Sequence, residues 1–152
     1  MDEVQLGAIV HTEAADASGI LRNLGLVQDD MEHGGTPMSE CLFCKIARKE
    51  IPAAIVHEDD SLLAFKDIFP QAPVHLLIIP KAHCEGLGDL TPETAAAAAR
   101  IPQLAARLAV EQGLQADGWR LLSNCGADAG QTVFHLHFHL LGGKPLGGRL
   151  CQ

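Results

Sequence analysis

Three histidines, His135, His137 and His139, alternate with Leu136 and Phe138 near the C-terminal end of the chain. Imidazole titrates near neutral pH and can act as base, nucleophile or metal ligand. Alternation at period two marks a strand, because successive side chains point to opposite faces. The three rings are therefore expected on one face, about 6–7 Å apart along the strand, with Val133 beside them. Phe134, Leu136, Phe138 and Leu140 are expected to fill the opposite, buried face. Helical spacing does not suit the pattern, since residues two apart do not meet on a helix. Two chemistries fit such a row. The rings can hold a metal. Alternatively, one attacks phosphorus while its neighbours bind the phosphate.

A second set of candidate ligands lies at Cys41-Leu42-Phe43-Cys44. A Cys-x-x-Cys pair brings two thiolates to one metal, but by itself it is half a site, and a redox pair or two structural thiols have the same spacing. The third candidate feature is the loop Asn124-Cys125-Gly126-Ala127-Asp128-Ala129-Gly130, leading into Gln131-Thr132. Small residues there can expose backbone N–H groups to a phosphate.

These groups need a scaffold. Residues 41–50 read as a short helix stopped before Pro52. Residues 53–58 and 62–66 read as a hairpin across the polar turn Glu58-Asp59-Asp60-Ser61. Residues 74–80 form a strand too apolar to face water on both sides. Thr91 and Pro92 open a helix as N-cap and first helical residue, and the alanine run at 95–99 favours it. Thr94 stands where an acid or amide would complete a capping box, so the box is expected to be incomplete. Pro102 must bend or break this helix. Leu104, Leu108 and Val110 give it an apolar side, and Gly113 ends it. Residues 119–123 form a fourth strand, and the histidine segment a fifth.

The chain has 152 residues, 47% of them hydrophobic, which suits one domain with a sizeable core. Residues 1–37 carry a net charge of −6 out of the chain's −8, leaving −2 for the rest. They end in the turn-rich stretch 29–37 and are expected to be an acidic, partly ordered extension. Ile20, Leu21, Leu24, Leu26 and Val27 could form a short amphipathic helix within it. Residues 38–152 are expected to be the working domain. The acidic balance disfavours nucleic-acid binding. No apolar run approaches a membrane span. Five cysteines without an export signal point to a reducing, cytoplasmic setting.

Taken together, these residues resemble a known family. The stretch 131–141, with His-x-His-x-His before two apolar residues, is similar to the signature of the histidine triad superfamily. Asp67-Ile68, Pro70-Gln71-Ala72-Pro73-Val74-His75, Ile79-Pro80-Lys81-Ala82-His83 and Asn124 with its loop resemble the branch of small histidine triad nucleotide-binding proteins. The likeness runs from Cys41 to Gly143.

The resemblance implies an α+β fold: a five-stranded antiparallel sheet with one long and one short helix, in a homodimer that continues the sheet. It implies that His137 attacks the α-phosphorus of a purine nucleotide to give a nucleotidyl-histidine, which water releases. His139 would contact the phosphate. Asp67 would hold the ribose, Ile68 would border the base, and His75 would stand near the active-site strand. Asn124 and Thr132, with Gly130 and Gln131 in their loop, would serve the phosphate side. It further implies a structural zinc on Cys41, Cys44, His83 and His135, as in some bacterial members, which would leave His137 and His139 free. Four N/S ligands close a tetrahedron and leave no open position for water.

The expected activity is nucleoside phosphoramidate hydrolysis releasing AMP or GMP. Hydrolysis of dinucleoside polyphosphates or other adenylylated substrates uses the same intermediate. A metallo-hydrolase using all three triad histidines, or a nucleotide-binding module with little turnover, are the competing classes. One departure from the branch is the C-terminal segment. It lacks the Trp-Pro-Pro-Gly end that shapes the partner's site, so leaving-group preference does not carry over. Cys125 has no physical account at this level.

Overall fold

The computed structural model describes residues 40–148, within a compact unit spanning Gly35–Gln152. The acidic extension and its possible helix lie outside the described residues. Helix α1 (Leu42–Ala47) is followed by strands β1 (Ile55–Glu58), β2 (Leu62–Lys66) and β3 (Val74–Pro80). Helices α2 (Pro92–Ala99) and α3 (Ile101–Glu111) precede β4 (Trp119–Leu122) and β5 (Phe138–Gly142). The sheet order is β1-β2-β3-β5-β4, and every neighbouring pair is antiparallel. The expected α+β architecture is present, with β1 and β4 at the edges and β5 between β3 and β4.

Period two divides the sheet between two cores. Leu62, Ala64, Leu76, Ile78 and Leu140 face Ala97, Ile101, Leu104, Ala105 and Leu108 of the long helical pair. Leu63, Phe65, Leu77 and Ile79 face Cys41, Phe43, Cys44 and Ile46 of α1, with Val133 packed alongside. Directly opposed residues of antiparallel strands share a face. His139 opposes Leu77, so it lies on the α1 side, as does His75 two residues before Leu77.

The long helix is two segments meeting at Arg100. Pro102 has no N–H to give the carbonyl of Ala98, and the chain re-forms its ladder with Leu104 N–H on the Arg100 carbonyl. The capping box is closed, contrary to expectation. Thr94 Oγ1 accepts from the Thr91 N–H at 2.8 Å, and Thr91 Oγ1 accepts from the Thr94 N–H at 3.2 Å. A hydroxyl on a short stem does here what a Glu or Gln does elsewhere. At the far end Gly113, at φ +73°, lets Leu114 N–H reach the Ala109 carbonyl and its own N–H reach Val110. Val110 itself is 50% exposed, so the apolar side rests on Leu104 and Leu108.

The fifth strand starts later than the alternation predicts. The β3–β5 ladder begins at Ile78 and Phe138, and residues 131–137 lie outside any strand. Pro80 accounts for the stop. In an antiparallel strand the N–H and C=O of one residue point the same way. The next rung would pair Pro80 with Leu136, and Pro80 has no N–H. Leu136 N–H turns instead to the Cys84 carbonyl at 2.7 Å. His135 and His137 therefore stand on a pinned, non-ladder segment, and only His139 is in the strand. Phe134 is 40% exposed rather than part of the buried face, while Leu136 and Leu140 are buried and Phe138 packs against the helical core.

Candidate active site and metal-ligand cluster

Cys41 precedes α1 as its N-cap, and Cys44 lies in its first turn. His83 follows β3, and His135 stands just before β5. Their four ligand atoms lie within 4.8 Å of one another. His135 Nδ1 is 3.4 Å from Cys41 Sγ, 3.5 Å from Cys44 Sγ and 3.2 Å from His83 Nδ1. Cys44 Sγ is 3.3 Å from His83 Nδ1. A tetrahedral ion with metal–nitrogen bonds of about 2.0–2.1 Å and metal–sulfur bonds of about 2.3 Å places two nitrogens about 3.3 Å apart and nitrogen and sulfur about 3.5 Å apart. The observed edges match.

The chemistry of the donors matches as well. His135 is fully buried. Its Nε2 lies 2.8 Å from the Pro80 carbonyl, which can only accept. The proton is therefore on Nε2, and Nδ1 turns its lone pair to the cysteines. Burial pulls the His135 pKa down to about 4, against the help of the Pro80 carbonyl. Burial, reinforced by Cys41, pushes the Cys44 thiol up to about 12. Two sulfurs and two ring nitrogens gathered at these distances make a soft donor set, so this cluster could hold a metal ion.

The other imidazoles form a different constellation. His137 Nδ1–H donates to the His135 carbonyl at 2.7 Å. Burial lowers its pKa; that hydrogen bond and the Asp67 carboxylate oppose the shift. The result is a neutral ring with its proton on Nδ1 and the Nε2 lone pair available. The Gln71 N–H donates to His75 Nδ1 at 3.1 Å, which fixes the His75 proton on Nε2. That Nε2–H lies 2.9 Å from His139 Nδ1 and 3.4 Å from Asp67 Oδ2. His139 thus accepts on Nδ1 and carries its own proton on Nε2. Burial, then His137 and His75, bring the His139 pKa down to about 4. Burial also lowers that of His75, with Asp67 opposing. Asp67, His75 and His139 lie within 4.8 Å of one another, but both His75 nitrogens are engaged by hydrogen bonds, which makes this an ordered relay rather than a metal set.

Asp67 Oδ1 also accepts from the Phe69 N–H at 2.8 Å, holding the turn after β2. Ile68, between them, is 72% exposed, an apolar side chain left without cover next to the histidines. Asn124 is half-buried and Thr132 exposed. The loop between them is shaped by Gly126 at φ +87° and Gly130 at φ +85°, backbone angles that side-chain-bearing residues rarely adopt. Gln131 is buried and ties the loop down. Its Oε1 accepts from the Gly126 N–H at 2.8 Å, and its Nε2 donates to the carbonyls of Glu85 and Val133. Cys125 is exposed.

Three contributors were not singled out from sequence. Ser123 Oγ donates to the His137 carbonyl at 2.7 Å. The Pro80 carbonyl sets the His135 tautomer. Phe43 stands edge to face with His137, ring centroids 5.2 Å apart at 85°. A shared turn signalled Phe43, since it sits between the two cysteines; nothing in the local sequence signalled the others. A cleft of about 450 Å³ lies elsewhere, lined by Asp60, Ser61, Lys81, Glu93 and Arg100 among others. Its cations are already paired, Arg100 with Asp59 and Ser61 and Lys81 with Glu58.

A family model described as the HIT domain matches residues 48–146. The chain belongs to the HIT domain family. It is 47% identical over 113 residues to a purine nucleoside phosphoramidase of Escherichia coli (strain K12), covering 74% of this chain and 95% of that protein. It is 47% identical over 105 residues to the protein HitA of Neisseria gonorrhoeae, covering 69% and 97%. A HIT family hydrolase from Clostridium thermocellum superposes with a TM-score of 0.70 at 46% identity, covering 73% of this chain and 96% of that one. A histidine triad protein from Clostridium difficile also superposes at 0.70, with 43% identity over 76% and 99%. The five-stranded sheet and bent helix are those of the HIT fold. Among the described residues, no helix is long and apolar enough to cross a membrane.

Proposed function

We propose that this HIT protein hydrolyses purine nucleoside phosphoramidates, releasing AMP or GMP through a nucleotide bound covalently to His137. The observation that carries the reading is the His137 tautomer. Its Nδ1–H is held by the His135 carbonyl, so the lone pair that attacks is on Nε2 and the ring needs no deprotonation. As the bond from Nε2 to phosphorus forms, the phosphorus–nitrogen bond of the substrate breaks and the amine leaves with a proton taken from solvent, which the attacking water gives back in the second step. Water then cleaves the phosphorus–Nε2 bond, giving the nucleoside monophosphate and the free ring. Splitting one displacement into two lowers each barrier.

His139, with its proton on Nε2, suits contact with a phosphate oxygen, and charge developing there is where a fixed donor acts most strongly. The remaining lone pairs of Asp67 suit the ribose hydroxyls, and exposed Ile68 suits a purine face. Asn124, Thr132 and the glycine-bounded loop at Gly130 suit the phosphate, with Gln131 holding that loop. Zn²⁺ is the ion proposed for Cys41, Cys44, His83 and His135. When bound it would supply a structural tie between α1 and two strand ends, with no part in the chemical step. A metallo-hydrolase using all three triad histidines is disfavoured, because His135 turns its lone pair to the thiols. The name and 47% identity of the E. coli relative support the choice of substrate. A homodimer joined along an edge strand, where Trp119 is partly exposed on β4, a cytoplasmic setting, and a division into an extension at 1–37 and a HIT domain at 38–152 complete the proposal.

Brief reaction with radiolabelled adenosine 5′-phosphoramidate followed by a quench tests it. Label should appear on protein and map to His137. Turnover with no protein-bound label, or label on another residue, overturns the assignment.

A further inference from the structure

The ring of Phe43 lies between the two thiol ligands in sequence and against the nucleophile in space. We infer that Phe43 is a positioning residue for His137, so that the turn carrying Cys41 and Cys44 orients the attacking ring as well as holding a metal. This rests on the function proposed above and deepens it.

Three contacts restrain the His137 ring: the edge of His139, with ring centroids 5.0 Å apart at 66°, and two that lead to the metal-ligand set. One is its hydrogen bond to the carbonyl of His135, a residue of the metal-ligand set. The other is Phe43, whose ring meets it nearly at a right angle. Perpendicular aromatic pairs are favoured by the ring quadrupoles and fix the tilt of both partners. Phe43 is itself clamped by Phe65 at 5.6 Å and 72° and by His135 at 5.9 Å and 71°. It is buried, and it faces the sheet with Cys44 and Ile46.

Helix α1 has six residues, and its N-cap Cys41 makes no side-chain capping bond. So short a helix does not persist unaided. What anchors it is its apolar face and the two sulfurs on either side of Phe43. An ion on those sulfurs would fix the helix, the helix would fix Phe43, and Phe43 would fix the tilt of His137. Two of the three restraints on the nucleophile thus lead back to the same four ligands. A misdirected lone pair loses rate without losing affinity, because the substrate is bound mainly by other groups.

The test compares zinc-loaded wild type, Phe43→Leu and Ile79→Ala. The leucine side chain would keep apolar bulk and remove the flat ring. Ile79 is fully buried in the same core and carries no ring, so its truncation tests whether lost apolar bulk in that core is enough to move His137. Two quantities are read: kcat and KM with adenosine 5′-phosphoramidate, and the ring ¹⁵N shifts of His137 in ¹⁵N-histidine-labelled protein. Phe43→Leu should lower kcat about tenfold with KM within about twofold. It should also turn the single Nδ1–H form of His137 into a mixture. Stripping zinc from wild type should change the His137 signal in the same direction, and stripping it from Phe43→Leu should add little. Ile79→Ala should change neither reading. An unchanged kcat or unchanged His137 signal in Phe43→Leu, an equal change in Ile79→Ala, or a His137 signal blind to zinc overturns the inference. Wild type that forms no nucleotidyl-histidine defeats the proposed function instead, and the ring signals still report whether Phe43 orients His137.

Discussion

Two clusters of imidazoles lie side by side on the α1 face of the sheet and are built on opposite plans. Around His135 the donors converge on each other. Two thiols and two ring nitrogens point inward within 4.8 Å of one another, close enough to share one ion. Around His137 the donors are passed along a line: Gln71 N–H to His75, His75 to His139, with Asp67 beside the pair. Each proton passed along that line has an acceptor, and Nε2 of His137 and Nε2–H of His139 are left over. An imidazole by itself does not show which cluster it joins. For His135 and His137 the second nitrogen does, through the backbone carbonyl that claims it.

The sharpest way to break this contrast is to remove the one ring assigned to covalent chemistry. His137→Asn should lower kcat by at least about a thousandfold while AMP affinity, measured by calorimetry, changes little. Residual turnover near the wild-type rate would erase the distinction. On the converging side, Cys41→Ser should release zinc and cost several kcal/mol of stability, read by metal analysis and thermal unfolding. Its effect on AMP affinity should be small.

Acid should strain both clusters, for different reasons. The folded-state pKa of His139 is depressed from 6.5 to about 4. Between those values the unfolded chain holds the proton and the folded chain does not, so stability rises with pH there and is lost as pH falls from about 6.5 towards 4. An ion bound to the Cys41, Cys44, His83 and His135 set would be released over acid pH as well, by ligand protonation. In zinc-free Cys41→Ser the His139 contribution should remain, on the order of 1–2 kcal/mol; a flat stability profile across that window would show that His139 is not held neutral. The smallest effect is expected from Asp67→Asn. It keeps the Phe69 turn bond and weakens acceptance from ribose, raising KM about tenfold with kcat nearly kept. An equal loss in kcat would place Asp67 in the relay rather than at the sugar.

Much of this was legible in the chain. The period-two runs gave strands in the right places, with residues 74–80 matching β3 end to end. The face shared by His75, Leu77 and His139 follows from the same parity. Other features depend on what is far away in sequence. Cys41 and His135 are 94 residues apart, and no local spacing brings them together; that set came from resemblance. Alternation at 133–137 is real, but a ladder also needs a partner with an N–H. Phe134 escaped burial for that reason. Thr94 is neither the acid nor the amide of the usual box, and its hydroxyl closes the box all the same. Phe43 stands between the two cysteines, but nothing near it in sequence points to His137, almost a hundred positions on.

Pro80 has a consequence beyond its own rung. An imino acid there prevents the sheet from zipping one step further, and the freed carbonyl becomes the peg on which His135 hangs. Any other residue would hand the growing ladder a donor and invite Leu136 back into register, drawing both neighbouring rings out of their stations. The chemistry of this protein thus begins at the place where its sheet is refused its next bond.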